Sequence, residues 1–293
     1  MQQTLRQLQR ELQGHLTEDP GRAPLGGVGV FHCRRPQALR DVPIHQPTAV
    51  LVISGRKTMT LGSRRVEVAP GELLLLPGGA TVGIGNQPGQ RDDYLALAIG
   101  FSDQTLELFS RSYGSQTQPT SGAAPWSAPA PAALVAAVSQ WLDWCRQHPI
   151  DPLVACHRQV EILLLLARAG VANNLLLDRS GHWRERVAKL LALDPGRDWN
   201  AAEVSQRLAV GESTLRRYLQ QEQTSFREIL EETRMVTALS LLQETSWPVG
   251  QVAEAVGYLS HSRFSDRFRR RFGLSPAELK RSRESESDQL LSV

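Results

Sequence analysis

Arginine side chains are concentrated in one short segment near the C-terminal end of this sequence. A guanidinium group pairs with phosphate oxygens and can also donate to both O6 and N7 of guanine. The local density of positive charge is therefore suited to binding a polyanion, and no nucleophile or metal-ligand spacing accompanies it. The arginines of the segment are Arg263, Arg267, Arg269, Arg270 and Arg271.

These arginines lie on a predicted helix with an apolar spine. Phe264, Phe268 and Phe272 recur every four residues, which places them on one helix face. Ser260 is suited to cap the start of this helix, and Gly257 can end a preceding helix in the left-handed conformation. The pattern predicts two helices joined by a tight turn, with the outer face of the second helix polar. Such a pair is typical of a helix-turn-helix unit whose second helix enters a DNA groove.

The same plan occurs a second time, at residues 201–226. The apolar positions of the two units correspond: Val204 with Val252, Leu208 with Val256, Leu215 with Phe264, and Leu219 with Phe268. A serine followed by a glutamate closes each unit, as Ser225 with Glu228 and Ser275 with Glu278, and both pairs predict capping boxes. The repeat makes a merely solvated arginine face a poor explanation of the segment.

Residues Phe226 to Thr245 connect the two units and contain neither glycine nor proline. Their apolar stripe predicts one continuous helix, which would act as a strut between the units. Adjacent major-groove faces of B-DNA lie about 34 Å apart, so two rigidly joined helices can address one side of the duplex.

The region from about Trp183 to Arg281 resembles the DNA-binding domain of the AraC/XylS family of bacterial transcription regulators. That domain has two helix-turn-helix units joined by a long helix. The matching positions are Arg234, Ala238, Leu241, Leu242, Val252, Ala253, Val256, Gly257, Tyr258, Phe264, Ser265, Phe268, Arg269, Phe272, Gly273, Ser275 and Pro276. The resemblance implies a sequence-specific regulator of promoters, with activation as the family's usual outcome.

Carrying the family's DNA contacts onto this chain selects two sets of residues. The base-contacting positions are Ser213, Arg216, Arg217, His261, Ser262, Ser265 and Asp266. The positions expected to contact the DNA backbone are Gln220, Arg267, Arg269 and Arg270. Two departures from the family pattern stand out: Asp266 occupies a position where arginine is common, and Gly211 replaces the usual cap serine of the first unit. The first leaves the base preference of the second helix open.

Short β-branched or alternating segments dominate residues 27–101 and are separated by glycine- and proline-rich turns. This spacing predicts an antiparallel sandwich or a small barrel. The predicted strands are Ala49 to Ile53, Lys57 to Leu61, Arg65 to Val68, Glu72 to Leu76 and Tyr94 to Ile99. The stretch resembles a cupin barrel, with Gly71, Pro77, Gly79 and Asn86 at motif positions.

The metal-binding histidine of the cupin motif is replaced by Val82, and the first motif retains His45 at best. Because a metal centre needs several converging ligands, we expect no metal, no cofactor and no enzymatic activity. His32 and His45 are expected to be structural or surface residues. The barrel interior is suited to an organic effector, although the residues that would bind it are not identifiable from the sequence.

The predicted organisation is multi-domain α+β, with a cupin-like barrel followed by an all-α DNA-binding domain. We expect a barrel with an N-terminal helix over residues 1–114, a linker and helical segment over 115–180, the DNA-binding domain over 181–283, and a polar tail over 284–293. Two amphipathic helices, Ala132 to Gln147 and Leu153 to Ala169, follow the low-complexity linker at residues 115–131. They are suited either to a homodimer interface or to completing the core of the sensor, and both interpretations remain open.

Composition agrees with a cytoplasmic regulator. The net charge is +3, and the three cysteines are scattered, which argues against a disulfide framework or a zinc site. The N-terminal residues are polar, and the apolar run from Ile162 to Ala167 is too short to span a bilayer. The expected partners are double-stranded DNA, RNA polymerase, and either a small organic effector or a regulatory protein. The alternatives are a cupin-type enzyme and a DNA-repair or DNA-modifying protein with a similar DNA-binding domain.

Overall fold

The computed structural model describes residues 5–10, 12, 28–90, 92–114, 117, 125–176 and 182–283. The predicted polar tail 284–293 and most of the predicted linker 115–131 therefore lie outside the described residues. The strands are β1 (Val28–Cys33), β2 (Gln37–Ile44), β3 (Thr48–Ser54), β4 (Arg56–Leu61), β5 (Arg64–Val68), β6 (Glu72–Leu76), β7 (Ala80–Gln87), β8 (Tyr94–Gly100) and β9 (Ser127–Pro129).

The helices follow the same numbering in chain order. Helix α1 is described at residues 5–10 and 12, where the N-terminal helix was expected. The others are α2 (Asp103–Tyr113), α3 (Ala132–Gln147), α4 (Pro152–Arg168), α5 (Trp183–Ala192), α6 (Ala201–Arg207), α7 (Glu212–Gln221), α8 (Phe226–Glu244), α9 (Val249–Ala255), α10 (His261–Phe272) and α11 (Pro276–Arg281). Of the helices in the described ranges, none combines the length and the apolar composition that a bilayer crossing requires.

The strands form two antiparallel sheets, which we call sheet A and sheet B. Sheet A has the order β1-β8-β3-β6-β9 and sheet B the order β2-β7-β4-β5. The described strands do not close into a barrel, because no ladder joins one sheet to the other. Strands β1 and β2, at one edge of each sheet, instead contact α8 and α10 of the C-terminal helices. The predicted antiparallel sandwich is confirmed, and the closed cupin-like barrel is corrected to two separate sheets.

Two apolar cores bury the faces of sheet A. One lies between the sheets and includes Val50, Met59 and Tyr94. The other lies between sheet A and the helices α1 to α4, and includes Leu8 and Trp141. Helices α3 and α4 therefore complete a core with sheet A, which is one of the two roles that their amphipathic patterns allow.

Five elements of the N-terminal part were not predicted as separate elements. Strands β1 and β2 lie where the alternating strand pattern is weak, and α2 lies after the predicted strands, where no element was predicted. Strand β9 lies within the segment predicted as a linker. Strand β7 was obscured by Gly83 and Gly85. A Cβ atom at either glycine would lie 2.3 Å from a threonine hydroxyl of β4, so close strand contact requires glycine there.

The C-terminal helices form the predicted pair of helix-turn-helix units. Residues Val204, Leu215 and Leu219 are buried in the core of the first unit, which α5 completes. Helix α8 is continuous over 19 residues, which corresponds to a length of about 28 Å. It contributes Ile229 to the first core and Leu242 to the second core, so that one helix belongs to both units.

The helix termini agree with the sequence except at one cap. Ser275 and Glu278 form the reciprocal capping box, and Ser260 accepts a hydrogen bond from the Arg263 amide. The predicted box at Ser225 is half formed: its hydroxyl caps the Glu228 amide, while the Glu228 carboxylate accepts from the Ser225 hydroxyl. The carboxylate is thus held by the side chain of the cap residue rather than by its backbone amide.

Gly257 supplies a prediction about the turn of the second unit. Its φ is +82°, and a Cβ atom there would lie 2.8 Å from Nη2 of Arg234 and 2.9 Å from the carbonyl oxygen of Gly196. Gly170 has a similar φ of +74° but open space around it. We expect Gly170→Ala to lose about 1–2 kcal/mol of unfolding free energy from backbone strain alone. Gly257→Ala should lose clearly more, because the methyl group would also collide with the Gly196 carbonyl oxygen and the Arg234 guanidinium group.

Urea unfolding followed by circular dichroism measures both losses. Equal destabilisation by the two substitutions would contradict the packing described around Gly257.

Candidate nucleic-acid interface and interior cavity

Helix α7 presents a polar face beside its buried spine. Leu215 and Leu219 are buried, whereas the four residues predicted to contact DNA are exposed. These four residues are Ser213, Arg216, Arg217 and Gln220. The Arg217 guanidinium lies 5.6 Å from the ring centroid of Tyr218, and Tyr218 stacks on Trp183 of α5 at 4.7 Å. The aromatic contact limits the freedom of Arg217 and leaves Arg216 as the less constrained arginine of the pair.

Helix α10 repeats this division with a different polar set. The side chains of Phe264, Phe268 and Phe272 are fully buried and contact one another in sequence. On the opposite face, His261, Ser262 and Asp266 are exposed and Ser265 is half-buried. Among the predicted base-contacting positions, α7 has two arginines, whereas α10 has a histidine, two serines and a carboxylate, none of which is a bidentate guanine reader.

Four of the five arginines of α10 fall into two groups. Arg267 pairs with Glu231 of α8 at 2.7 Å, and Arg271 pairs with Glu232 at 2.9 Å. Arg269 and Arg270 are exposed and have no ion pair or hydrogen bond among the described residues. Among the arginines predicted to contact the DNA backbone, Arg269 and Arg270 are therefore free to bind a phosphate. Arg267 would first have to break its ion pair with Glu231.

Glu232 joins three elements at the centre of the C-terminal helices. Its side chain is 9% exposed and accepts two hydrogen bonds of 2.7 Å from Arg184 of α5. Arg271 of α10 donates a third. A carboxylate with this little water requires its partners, so the two arginines and Glu232 hold α5, α8 and α10 together. His45 lies close enough for the Glu232 charge to act on its pKa, although burial is the larger effect and lowers that pKa.

The second helix-turn-helix unit also shares its core with sheet B. Leu39 and Val42 of β2 are buried in the same apolar cluster as the three phenylalanines of α10. At the end of this contact, the backbone amides of Arg34 and Arg35 both donate to the carbonyl oxygen of Ser282, at 2.7 and 3.0 Å. Gln37 adds a hydrogen bond to the Ser282 hydroxyl. We call this contact surface the interdomain seam.

A cavity of about 570 Å³ lies beside the seam, between the sheets, α5 and α8. Its wall is largely apolar and includes Phe31, Ile84 and Val236. The cavity falls within the size range of small-molecule sites, which are mostly apolar with a few polar groups. His45 Nε2 and Thr233 Oγ1, in two residues of the wall, are buried and have no hydrogen-bond partner within the described part of the chain.

Lys57 is a buried amine among the residues that line this cavity. Its side chain is 1% exposed, and Nζ donates to Asn86 Oδ1 at 2.8 Å and to the Tyr94 hydroxyl at 3.3 Å. Burial lowers the pKa of Lys57 from 10.5 to about 7. Nζ also lies over the rings of Phe31 and Tyr94, at 5.6 and 5.5 Å from their centroids. An anionic group near Nζ would restore the charged form of the lysine.

Glu244 lines the cavity from the end of α8. Burial raises its pKa to about 7, against the opposing effect of Arg283. A Cβ atom built at Gly29 of β1 would lie 3.0 Å from Glu244 Oε1, so the carboxyl group rests against the edge of sheet A. Strand β1 and helix α8 are therefore in contact at a carboxyl group that titrates near neutral pH.

Lys57 and Glu244 were not identified from the sequence. A signal for Lys57 was present, because it alternates with Met59, whose side chain faces the core between the sheets. An inward position would have marked the lysine as unusual. Glu244 carried no comparable signal, because its burial depends on a β-strand more than two hundred residues earlier in the chain.

The residues considered for metal binding do not come together. Val82 is buried in the core between the sheets. His32 bonds to Asp93 at 2.8 Å, while His45 faces the cavity. Across the described ranges, no three histidine, cysteine or acidic side chains are grouped as metal ligands would be. No observation here favours the cupin-enzyme or DNA-repair alternatives.

Comparisons with known proteins agree with this architecture. The urease operon transcriptional activator of Escherichia coli is 32% identical over 102 residues, which is 34% of this chain and 34% of that protein. The transcriptional regulator YdeO of Escherichia coli (strain K12) is 36% identical over 91 residues, 31% of this chain and 36% of YdeO. The matched region thus spans about a third of the length of these relatives.

A solved structure of ToxT from Vibrio cholerae matches over 88% of this chain and 98% of its own, with a TM-score of 0.61 and 15% identity. At this identity the likeness shows a shared fold. Residues 204–282 match the helix-turn-helix domain family. Residues 24–171 match the family described as the AraC-type transcriptional regulator N-terminus. Since that family alone spans half of the sequence, the chain belongs to the AraC-type transcriptional regulators.

Proposed function

We propose that this protein is a sequence-specific DNA-binding transcription regulator that activates its target promoters. The observation that carries the proposal is the pair of exposed polar faces on α7 and α10, at equivalent positions of two units that share α8. Two such helices on one rigid strut are suited to adjacent major-groove segments of one duplex. Activation is supported by the relatives, several of which are described as transcriptional activators.

The two helices have different roles in this proposal. Arg216 and Arg217 of α7, with Ser213, read base edges, and bidentate arginine contacts to guanine provide most of the discrimination. His261, Ser262, Ser265 and Asp266 of α10 form a softer set, in which Asp266 accepts from a cytosine amino group. Gln220, Arg269 and Arg270 contact the DNA backbone and set the register. Arg267 joins them only when it releases Glu231.

The cavity beside the seam is proposed as the site of control. Solved structures of ToxT are described in complex with an unsaturated fatty acid and with (E)-4-(8-methylnaphthalen-1-yl)but-3-enoic acid, both carboxylic acids with apolar bodies. For this chain, the apolar wall and the buried lysine support an effector of the same chemical class. A carboxylate beside Lys57 would be paired, while its apolar body would contact the wall that includes Val236 of α8.

Such an effector would act on DNA binding through the strut. Thr233, Thr237 and Glu244 of α8 line the cavity, and the same helix carries Glu231 and Glu232, the partners of the α10 arginines. An effector that binds one arrangement of α8 more tightly shifts the population toward that arrangement. Contacts to RNA polymerase and a homodimer remain part of the proposal as partners expected of an activator.

The first prediction separates base reading from backbone contact. Arg216→Ala should weaken binding to a selected DNA site by about 1–3 kcal/mol while leaving binding to random duplex nearly unchanged, because a guanine contact is lost. Arg270→Ala should weaken binding to both duplexes and reduce the salt dependence by about one phosphate contact. Fluorescence anisotropy with the full-length protein over a salt series measures both effects.

Equal losses on selected and random DNA for Arg216→Ala would contradict its role as a base reader. If wild-type protein shows no preferred sequence, the proposed function itself fails.

The second prediction concerns the charge state of Lys57. In the folded protein its pKa is about 7, whereas in the unfolded chain it returns to its ordinary value of 10.5. Between these values the unfolded chain binds a proton that the folded protein lacks, so stability rises with pH by at most about 1.4 kcal/mol per unit. Lys57→Met lacks this contribution. The stability of wild type relative to Lys57→Met should therefore increase from about pH 7 to about pH 9.

Urea unfolding of both proteins across this pH range tests the shift. A constant difference between the two would show that Lys57 titrates normally and is not buried as described.

The third prediction tests the effector class. An unsaturated fatty acid should raise the melting temperature of the full-length protein more than the corresponding alcohol, because only the acid pairs with Lys57. At about one hundred times its dissociation constant, a ligand adds about 2.7 kcal/mol of stability. Lys57→Met should remove the preference for the acid. Lys189→Met is the matched control, because Lys189 also lines the cavity but its side chain is 42% exposed.

If the alcohol stabilises wild type as much as the acid, or if Lys189→Met rather than Lys57→Met removes the preference, the assignment of Lys57 is wrong.

A further inference from the structure

Arg40, a residue of sheet B, lies against the end of the second recognition helix. A Cβ atom built at Gly273, the C-cap of α10, would lie 2.7 Å from Nε and 3.1 Å from Nη2 of Arg40. The guanidinium group therefore rests on the last turn of α10 although it belongs to the N-terminal part of the chain. Arg40 is exposed, so its charge faces solvent at this position.

A bulge in β2 directs Arg40 toward α10. The register of β2 against β7 passes from Leu39 opposite Ile84 to Val42 opposite Val82, so Arg40 and Asp41 stand where one residue would normally fit. Asp41 has a φ of +50°, an uncommon value for a residue other than glycine. Its carbonyl oxygen accepts a hydrogen bond from Arg271 Nε at 3.1 Å. Bulges often occur where a side chain must be redirected, and this one is anchored to α10 itself.

Three arginines meet at this point. Arg40, Arg269, Arg270, Asp266 and Gly273 line one open cleft. Within the described residues, none of these three guanidinium groups has an ion pair or a hydrogen bond, in contrast to the paired Arg267 and Arg271. Glu278 is a further acidic group near Arg269, which is a minor contributor to its lowered pKa; that pKa is lowered mainly by hydrogen bonds from Ser275. The cleft therefore has an excess of positive charge that an anion would neutralise.

The position of the cleft along α10 indicates which anion fits. Asp266, Arg269, Arg270 and Gly273 follow one another on a single helix face, because they are spaced three, four and seven residues from the first. Seven residues of helix rise about 10 Å, close to the roughly 12 Å width of the major groove. If Asp266 faces a base edge, as the proposed function holds, the end of the helix and Arg40 lie at the level of the phosphates that border the groove.

We propose that Arg40 binds a DNA phosphate together with Arg269 and Arg270, so that the DNA interface extends from α10 onto sheet B. The inference rests on the proposed function and adds a contact from the N-terminal part of the chain. DNA binding is thereby linked to the packing of β2 against α10. The same bulge contains Arg40, which contacts the phosphate, and Asp41, whose carbonyl oxygen accepts the hydrogen bond from Arg271.

The test compares the salt dependence of DNA binding by full-length wild type, Arg40→Ala and Arg65→Ala. Arg65 is the matched control, because it is an exposed arginine on β5, at the opposite edge of sheet B. Loss of one phosphate contact should reduce the slope of log Kobs against log salt by about 0.9. If wild type and Arg40→Ala extrapolate to the same affinity at 1 M salt, the variant should bind about eightfold more weakly than wild type at ~0.1 M salt.

Arg40→Ala should show this change equally on selected and random duplexes, while Arg65→Ala should keep the wild-type slope. A loosened seam could lower affinity but would leave the number of released counterions unchanged, so the slope identifies a direct contact. A wild-type slope for Arg40→Ala overturns the inference and leaves the proposed function intact. The same fall in slope for Arg65→Ala also overturns it, because the slope would then depend on the net charge of the protein rather than on a direct phosphate contact. Failure of wild type to bind DNA overturns both.

Discussion

Leu39 and Val42 of β2 are buried in the same apolar cluster as Phe264, Phe268 and Phe272 of α10, and the arrangement of the whole molecule depends on this shared core. Fully burying a large apolar side chain contributes about 1.5–3 kcal/mol, so the second recognition helix cannot turn away from sheet B without a large loss. Within the described ranges, the apolar core of the first helix-turn-helix unit includes no residue of either sheet. Its contact with the N-terminal part includes an ion pair between Lys189 and Asp103, which is exposed and contributes little. The second recognition helix, α10, is thus fixed to the sheets, whereas the first, α7, is positioned chiefly through α8.

The strut is consequently the element through which an effector can act. Glu232 binds arginines from both units, and a buried carboxylate that loses one partner becomes strongly unfavourable. Seven residues of the same helix, among them Thr233, Thr237 and Glu244, line the cavity that contains Lys57. A ligand that moves α8 would disturb these ion pairs and the pairing of Arg267 with Glu231, which we propose limits the availability of that arginine to DNA. Control of this kind requires only a small displacement of α8, because both helix-turn-helix units pack against that helix.

Features that depend on local spacing were predicted well from the sequence, and features that depend on distant contacts were not. The phenylalanine spine of α10, the continuous α8 and the cap at Ser275 follow from residues within a few turns of each other, and all three are present. The closed barrel was not found, because β1 and β2 contact α8 and α10 and no composition rule anticipates such a contact. Likewise, Arg267 was assigned to the DNA backbone without knowledge of Glu231, which lies 36 positions earlier and 2.7 Å away. The full burial of Lys57 also depends on its position between the sheets rather than on its sequence neighbours.

The central claim is that α7 and α10 read DNA as one rigid pair, and the spacing of the two half-sites tests it most directly. After a preferred site has been selected, about 5 base pairs, half a helical turn, are inserted between its two segments, and binding is measured by fluorescence anisotropy. Because α8 sets one separation and one relative orientation, the insertion should reduce affinity to that of a site with only one intact segment. Unchanged affinity for the lengthened site would contradict the account, since it would mean that the two helices move independently or that only one of them reads DNA.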